Sequence, residues 1–140
     1  MDLADAVAHA RTTRNSVLVT MRANGRPQLS NVWHQVDDEG RIHVSITATR
    51  AKYTNLAREP WGAFHVTTPD FDAYVVIEGD VDLTPVCVAP DDATADALVA
   101  HYRRIAGEHD DWEDFRRAQV AQQRVLVTLT PTRAYGMLPG

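Results

Sequence analysis

Alternating apolar and polar residues predict β-strands along most of the chain. The clearest case is the stretch 41–47, where Ile42, Val44 and Ile46 share one face and polar side chains take the other. Asn24-Gly25 is a typical two-residue hairpin turn, and Gly79 within a long apolar stretch indicates a bulge or a bend. The predicted strands cover 16–22, 27–36, 41–47, 61–68, 73–84 and 124–132.

Apolar residues at helical spacing predict four helices. The strongest signal begins at an aspartate cap, Asp91 or Asp92, and ends at Gly107. The predicted helices cover 2–10, 54–59, the stretch between that cap and Gly107, and 110–123, while 133–140 is predicted to be a tail. These elements indicate one domain, 1–140, that is mainly β with helices. Its six antiparallel strands close into a barrel, and a helical insertion covers about 91–123.

The turn at 37–40 fixes a register for the hairpin around it, in which Val36 pairs with Arg41 and His34 with His43. One face of the hairpin is then polar and nearly uncharged: Gln28, Ser30, His34, His43, Ser45 and Thr47. The other face is apolar and predicted to be the barrel interior: Leu29, Trp33, Ile42, Val44 and Ile46. This register places Asn31 on the apolar face.

The polar face leads into the stretch ITATRAKYTNLAREP, residues 46–60, which holds Lys52, the only lysine beside thirteen arginines. Arg50 and Lys52 stand where a strand gives way to a helix. A guanidinium, an ammonium and the free N–H groups of a helix start suit a phosphate group. The alternative interpretation is an ordinary solvated turn with two surface cations.

Composition restricts the function further. A net charge of -5 argues against nucleic-acid binding as the main task. The single cysteine, Cys87, cannot form an internal disulfide, and we find neither an apolar leader nor a membrane-spanning run, so we expect a cytoplasmic protein. His34 and His43 lack a third ligand at metal spacing, so we predict no metal site. His101 and His109 are expected at the surface.

Four segments together resemble a known family: GRPQLSNVW, VSITATRAKYTNLAREP, IEGDVDLTP and HYRRIAGEHDDWEDFR. They are similar to the split β-barrel flavin and deazaflavin oxidoreductases, the superfamily of pyridoxamine 5'-phosphate oxidase. The IAGEH-DW junction resembles the actinobacterial branch that uses coenzyme F420. The resemblance covers nearly the whole chain. It implies a six-stranded antiparallel split β-barrel that forms a homodimer, with cofactor sites at the subunit interface.

The resemblance also implies which residues bind the cofactor. Arg50 and Lys52 would hold its phosphate, with Thr49 and Asn55 supporting the phosphate loop. Tyr74 of the partner subunit would complete the groove. The ring and the ribityl chain would contact Gln28, Ser30, Asn31, Ser45 and Ile46. Arg22, Arg26 and Arg133 are candidates by type alone for a polyglutamate tail.

Three functions fit this resemblance. The first is a reductase that transfers a hydride from reduced F420 to a small enone-like or quinone-like acceptor. The second is an FMN-dependent oxidase or reductase of the same fold, and the third is a protein that carries F420 without turnover. No proton donor is assigned, although Tyr74 and His34 are candidates by residue type. The physiological acceptor does not follow from the sequence.

Overall fold

Seven antiparallel strands form one sheet in the computed structural model, which describes residues 1–139. The strands are β1 (Asn15–Met21), β2 (Pro27–Trp33), β3 (Gln35–Val36), β4 (Ile42–Thr47), β5 (Trp61–Thr67), β6 (Tyr74–Leu83) and β7 (Arg124–Met137). The helices are α1 (Leu3–Ala10), α2 (Ala51–Arg58), α3 (Ala93–Ala106) and α4 (Trp112–Ala121). The strand order is β2-β1-β5-β6-β7-β4-β3. The mainly β class is confirmed, but the count of six strands is wrong.

The extra strand arises at His34, which divides the predicted strand 27–36. Its ring is buried, with Nδ1 2.8 Å from Ser16 Oγ and Nε2 2.8 Å from the Ala10 carbonyl oxygen. The strands on either side of it, β2 and β3, lie at opposite edges of the sheet. Since one residue joins these two edges, the sheet must curl back on itself. The prediction that His34 points outward is therefore wrong.

The predicted hairpin register is also wrong. Only Gln35 and Val36 pair with β4, opposite His43 and Ile42, while all of β2 pairs with β1. Asp37 sets this turn, because its carboxylate accepts hydrogen bonds from the backbone of Glu39 and Arg41. Burial raises the pKa of this carboxyl, but the hydrogen bonds from His43, Arg41 and Glu39 outweigh it and lower the pKa to about 2.

Because β2 pairs with β1 and not with β4, its largest apolar side chains lie on the exposed face of the sheet. Leu29 is 60% exposed and Trp33 is 56% exposed, so the prediction that they line the barrel interior is wrong. Asn31 shares their exposed face. Ile42 and Ile46 are buried as predicted, because β4 packs against the core on that face.

Two apolar clusters lie on opposite faces of β7. Val125 and Val127 join the main core inside the curled sheet, together with Phe64. Leu126 points the other way and packs with Leu98 beneath α3 and α4. The two helices therefore cover the outer face of the sheet, which places their side chains beside the polar residues of β4.

Local signals locate several element ends. Asp92 caps α3 by accepting a hydrogen bond from Ala95 N at 2.7 Å, and Gly107 ends it with φ 83°, as predicted. The bulge at Gly79 is confirmed by a register shift between β6 and β7. The predicted tail is instead the end of β7, which pairs with β6 as far as Met137. No helix within residues 1–139 is long and apolar enough to cross a membrane.

Candidate functional site

A cleft of about 480 Å³ opens where β2 and β4 separate, at the start of α2. The two strands diverge because β2 pairs with β1 while β4 pairs with β7. The cleft is lined by Gln28, Ser30, Ser45, Ile46, Thr47, Arg50, Ala51, Lys52 and Arg124. Its floor is the polar face of β4, and its one helical wall is the first turn of α2.

Three cations converge on this cleft although the protein is negatively charged overall. Arg50 and Lys52 come from the start of α2, and Arg124 comes from the first residue of β7, opposite Thr47. Within the described part of the chain, none of the three forms an ion pair with a carboxylate. Burial lowers the pKa of Lys52, and the positive charges of Arg50 and Arg124 lower it further. These unpaired positive charges make the cleft suited to an anion.

The start of α2 adds neutral donors to these charges. The helix begins at Ala51, three residues before the predicted start, and Arg50 stands at its N-cap with an extended backbone. Among the described residues, no side chain caps this end of the helix. Its first N–H groups are not satisfied within the helix, and the helix dipole favours a negative charge there. Helix start and cations together match the chemistry of a phosphate group.

Hydrogen bonds behind the cleft hold its polar wall in place. Asn55 is buried and donates from Nδ2 to Gln28 Oε1 at 2.9 Å and to Thr20 Oγ1 at 3.1 Å. Lys52 Nζ lies 3.4 Å from Ser30 Oγ. Asn55 thus fixes the side chain of Gln28, and the support of the phosphate loop that the resemblance implies for Asn55 stays a prediction.

A larger groove of about 1270 Å³ continues from the cleft and shares Ser45, Lys52 and Arg124 with it. One wall comes from the sheet and carries Trp33, and the other comes from α3 and α4. Most of the lining is apolar or aromatic, including Leu29, Val17, Leu98, Tyr102, Ile105 and Phe115. A polar cleft that opens into an apolar groove can hold a molecule with an anionic end and a flat, less polar end.

The predicted cofactor residues fall into three groups. Gln28, Ser30, Ser45, Ile46, Arg50 and Lys52 line the cleft, and Asn31 lines the groove. Asn55 lies behind the cleft wall. Thr49 is exposed and lines neither space, and Tyr74 stacks on His65 at 5.3 Å outside both.

The residues suggested by type alone fit less well. His34 lies in the interior and lines neither space, so it is not placed to give a proton to a bound molecule. Arg133 forms an ion pair with Glu78 at 2.8 Å, and Arg22 hydrogen-bonds the Pro27 carbonyl oxygen. None of the three arginines named for a polyglutamate tail lines the cleft or the groove.

Sequence reasoning missed Arg124 and His101. Arg124 reaches the cleft through the pairing of β4 with β7, and its guanidinium lies 3.4 Å from the Ser45 carbonyl oxygen. His101 was expected at the surface but is only 6% exposed and lines the groove. Burial lowers the pKa of His101 to about 4, with smaller contributions from His43 and Arg104.

The donor set does not suit a metal ion. Residues 1–139 contain no group of three or more His, Cys, Asp or Glu side chains placed to hold one. His43 instead bonds Asp37 Oδ2 at 2.8 Å and Thr128 Oγ1 at 2.9 Å. The cross-strand pair of His34 and His43 does not form, because His34 is turned into the core.

Comparisons with known proteins identify relatives of this architecture. A family model described as pyridoxamine 5'-phosphate oxidase matches residues 3–138. A conserved hypothetical protein from Mycobacterium tuberculosis has a similar structure, with a TM-score of 0.72 and 24% identity over 97% of this chain and 84% of that one. An F420 reductase gives a TM-score of 0.68 at 25% identity, over 91% of this chain and 94% of its own.

A third solved structure is a pyridoxamine 5'-phosphate oxidase-related, FMN binding protein from Nostoc punctiforme. Its TM-score is 0.62 at 18% identity, and the match covers 96% of this chain and 81% of that one. At 18% and 24% identity, the similarities of this chain to the Nostoc protein and to the mycobacterial protein concern the fold alone.

Proposed function

The chain belongs to the pyridoxamine 5'-phosphate oxidase family, and on that premise we propose that it is an oxidoreductase that uses reduced coenzyme F420 to reduce a small organic acceptor. One observation carries the proposal. The cleft with three cations at a helix start opens directly into a long apolar groove, through shared residues. This shape matches a cofactor with a phosphate, a polar chain and a flat ring system.

The residues present suit such a cofactor. Arg50, Lys52 and Arg124 would bind the phosphate, together with the N–H groups at the start of α2. Gln28 and Ser30 lie on the neighbouring strand and would hydrogen-bond the ribityl chain. The contacts proposed for the ring come from Ser45, which lines both the cleft and the groove, from Ile46 in the cleft and from Asn31 in the groove.

The chain's own contribution to the reaction is binding, orientation and exclusion of water. When bound, reduced F420 supplies the hydride. Because Asn55 fixes Gln28 and Arg124 braces Ser45, the cleft would hold one end of the cofactor in a defined position. The apolar walls of the groove would then keep water away from the reacting atoms and leave space for the acceptor beside the ring.

FMN is the alternative cofactor, because it also combines a ring, a ribityl chain and a phosphate. The relative described as an F420 reductase, at 25% identity, favours F420. The FMN binding protein is less similar in sequence, at 18% identity. A carrier that holds F420 without turnover would have the same cleft and would differ only in lacking a reaction.

A titration of the purified full chain with F420 and, in parallel, with FMN tests the cofactor assignment. We expect F420 to bind in the micromolar range or tighter and FMN to bind at least tenfold more weakly, at the same salt concentration. Cofactor fluorescence reports the binding. Tighter binding of FMN would move the protein to the flavin-dependent alternative, and binding of neither would refute the proposal.

Consumption of reduced F420 separates an enzyme from a carrier. The substrates for this screen are 2-cyclohexen-1-one and menadione, which are neutral carbonyl compounds. Tight binding without any acceptor-dependent oxidation of F420 would favour the carrier.

We further propose that two copies of the chain associate through the exposed face of β2. Leu29 and Trp33 are large, apolar and more than half exposed there. Both also line the groove together with the exposed Tyr135, so the second copy would border the open side of the groove. Such a patch favours burial against another surface. Tyr74 lines neither the cleft nor the groove of its own chain, so the role proposed for it is in the site of the second copy.

The mass in solution tests this association. We expect light scattering to give twice the 15.6 kDa of one chain. Leu29→Asp should shift the protein towards monomer, because it places a charge in the apolar patch. Val88→Asp is the matched control, since Val88 is an exposed apolar residue in the loop between β6 and α3. A parent protein that is monomeric at micromolar concentration would contradict both the dimer and the role of Tyr74.

A further inference from the structure

His101 has a hydrogen-bonding group that the rest of the protein does not use. It lies on α3 with its side chain in the wall of the groove, and its Nδ1 atom is buried without a hydrogen-bond partner. Two other buried side-chain atoms in residues 1–139 lack a partner, His9 Nε2 and Gln35 Oε1. Neither of those residues lines the cleft or the groove.

An unpartnered polar atom in the interior destabilises the folded state, and proteins contain few of them. His34 shows how this chain treats a structural histidine, because both of its ring nitrogens bond protein oxygens at 2.8 Å. His101 lacks this arrangement although it is almost as deeply buried. Nδ1 is closed off in the free protein, so a molecule in the groove would reach it after the imidazole ring turns, and we ascribe the free capacity of this atom to such a molecule rather than to packing.

The charge state of His101 restricts what that molecule can be. The ring is neutral at pH 7, since burial lowers the pKa of His101 to about 4, with smaller contributions from His43 and Arg104. A neutral imidazole offers one N–H and one lone pair. It suits an uncharged carbonyl oxygen better than a carboxylate, which would favour a protonated ring.

The surroundings of His101 restrict the shape of the molecule. Tyr102 and Phe115 line the groove beside it, with ring centroids 5.0 Å apart. Trp33 lines the groove from β2, and the guanidinium of Arg14 lies 4.0 Å from the centroid of its ring. Aromatic side chains that are held in place by neighbours favour a flat apolar guest, which buries its faces against them.

We propose that His101 donates a hydrogen bond to a ring carbonyl of a flat, uncharged acceptor that binds between α3, α4 and β2. The inference rests on the proposed function and names the chemistry of its acceptor. His101 would thus bind the molecule that receives the hydride, whereas Arg50, Lys52 and Arg124 bind the cofactor. Acceptor recognition and cofactor recognition would then depend on different parts of the chain.

The test compares two probes of the same shape on the full chain without cofactor. Menadione has two ring carbonyls, and 2-methylnaphthalene has the same carbon skeleton without them. Equilibrium dialysis measures both dissociation constants for the parent, for His101→Leu and for His101→Gln. We expect His101→Leu to reduce the preference for menadione over 2-methylnaphthalene by about fivefold to tenfold, since one hydrogen bond is lost. His101→Gln keeps a neutral N–H donor and should restore part of the preference.

Thermal unfolding of the same variants separates ligand binding from a structural role. His101→Leu should melt at the parent's temperature or above it, because it removes a polar atom that has no partner. His34→Leu is the control and should melt lower, because it breaks two hydrogen bonds. An unchanged probe preference in His101→Leu, failure of the parent to bind menadione, or a drop in melting temperature like that of His34→Leu would each overturn the inference.

The outcome also distinguishes this inference from the proposed function. If the parent binds neither F420 nor FMN but the probe preference still depends on His101, the proposed cofactor is wrong and the carbonyl site stands. If F420 binds and His101→Leu leaves the probe preference unchanged, the cofactor assignment stands and the role of His101 is refuted.

Discussion

Gly79→Ala is expected to destabilise the protein by about 3 kcal/mol or more, the upper range for overpacking a close-packed interior. A Cβ atom at this position would overlap the Thr130 carbonyl group, with the Thr130 carbon at 2.8 Å and Leu129 Cδ2 at 2.7 Å. Backbone of the neighbouring strand cannot move aside without loss of the pairing between β6 and β7. These strands form the longest ladder in the sheet, and the register shift that makes room for Gly79 lies within it.

Gly62 provides the matched control, because it pairs directly with Gly79 on β5. Its added Cβ would lie 3.3 Å from the Val19 carbonyl oxygen and 3.6 Å from Val81 Cγ2, which small adjustments can accommodate. We expect Gly62→Ala to change the free energy of unfolding by about 1 kcal/mol or less, since reduced freedom of the unfolded chain offsets the tight contact. Urea denaturation measures both variants. Equal stabilities for the two would contradict the bulge argument.

The sequence could predict features that depend on neighbours along the chain. The alternation in 41–47 places Ile42 and Ile46 in the core whichever strand lies beside them, and the structure confirms it. Asp92 and Gly107 bound α3 for the same reason, because capping is a local interaction. The motif with Arg50 and Lys52 was visible because strand end, cations and helix start follow one another directly.

Strand pairing could not be predicted in this way. The alternation in 27–36 is the same whether the strand pairs with β1 or with β4, so it does not reveal which of its faces meets the core. Trp33 and Leu29 are apolar, and the prediction therefore put them inside. The burial of His34 separates β2 from β3, and its hydrogen-bond partners Ser16 and Ala10 lie far back in the chain.

The same limit explains which site residues were missed. Arg124 contacts Ser45 across 79 positions of sequence, and only the ladder between β4 and β7 brings them together. His101 follows helical spacing and looks like a surface residue until α3 packs on the outer face of the sheet. The contribution of β7 to the cleft and that of α3 to the groove depend on pairing and packing between distant segments, so the sequence did not predict them.

Lys52→Gln is expected to weaken the binding of F420 by about tenfold to a hundredfold, while the free protein stays folded. Loss of a charge-assisted hydrogen bond costs about 1.5–3 kcal/mol, which corresponds to a change of this size. The fold should tolerate the change, because Lys52 forms one long side-chain hydrogen bond within residues 1–139, to Ser30, and stands beside two other cations. Removing one of three like charges also relieves their mutual repulsion.

Two controls isolate the local charge. Arg117→Gln removes a positive charge from an exposed position on α4 outside both the cleft and the groove, and it should leave the affinity for F420 unchanged. Lys52→Arg keeps the charge and should lose less affinity than Lys52→Gln, although a guanidinium fits the space of an ammonium imperfectly. Raising the salt concentration should weaken the parent more than Lys52→Gln, since the variant has one fewer charge contact with the anion. Equal affinity of the parent and Lys52→Gln at low salt would show that the cleft between β2 and β4 does not hold the cofactor phosphate.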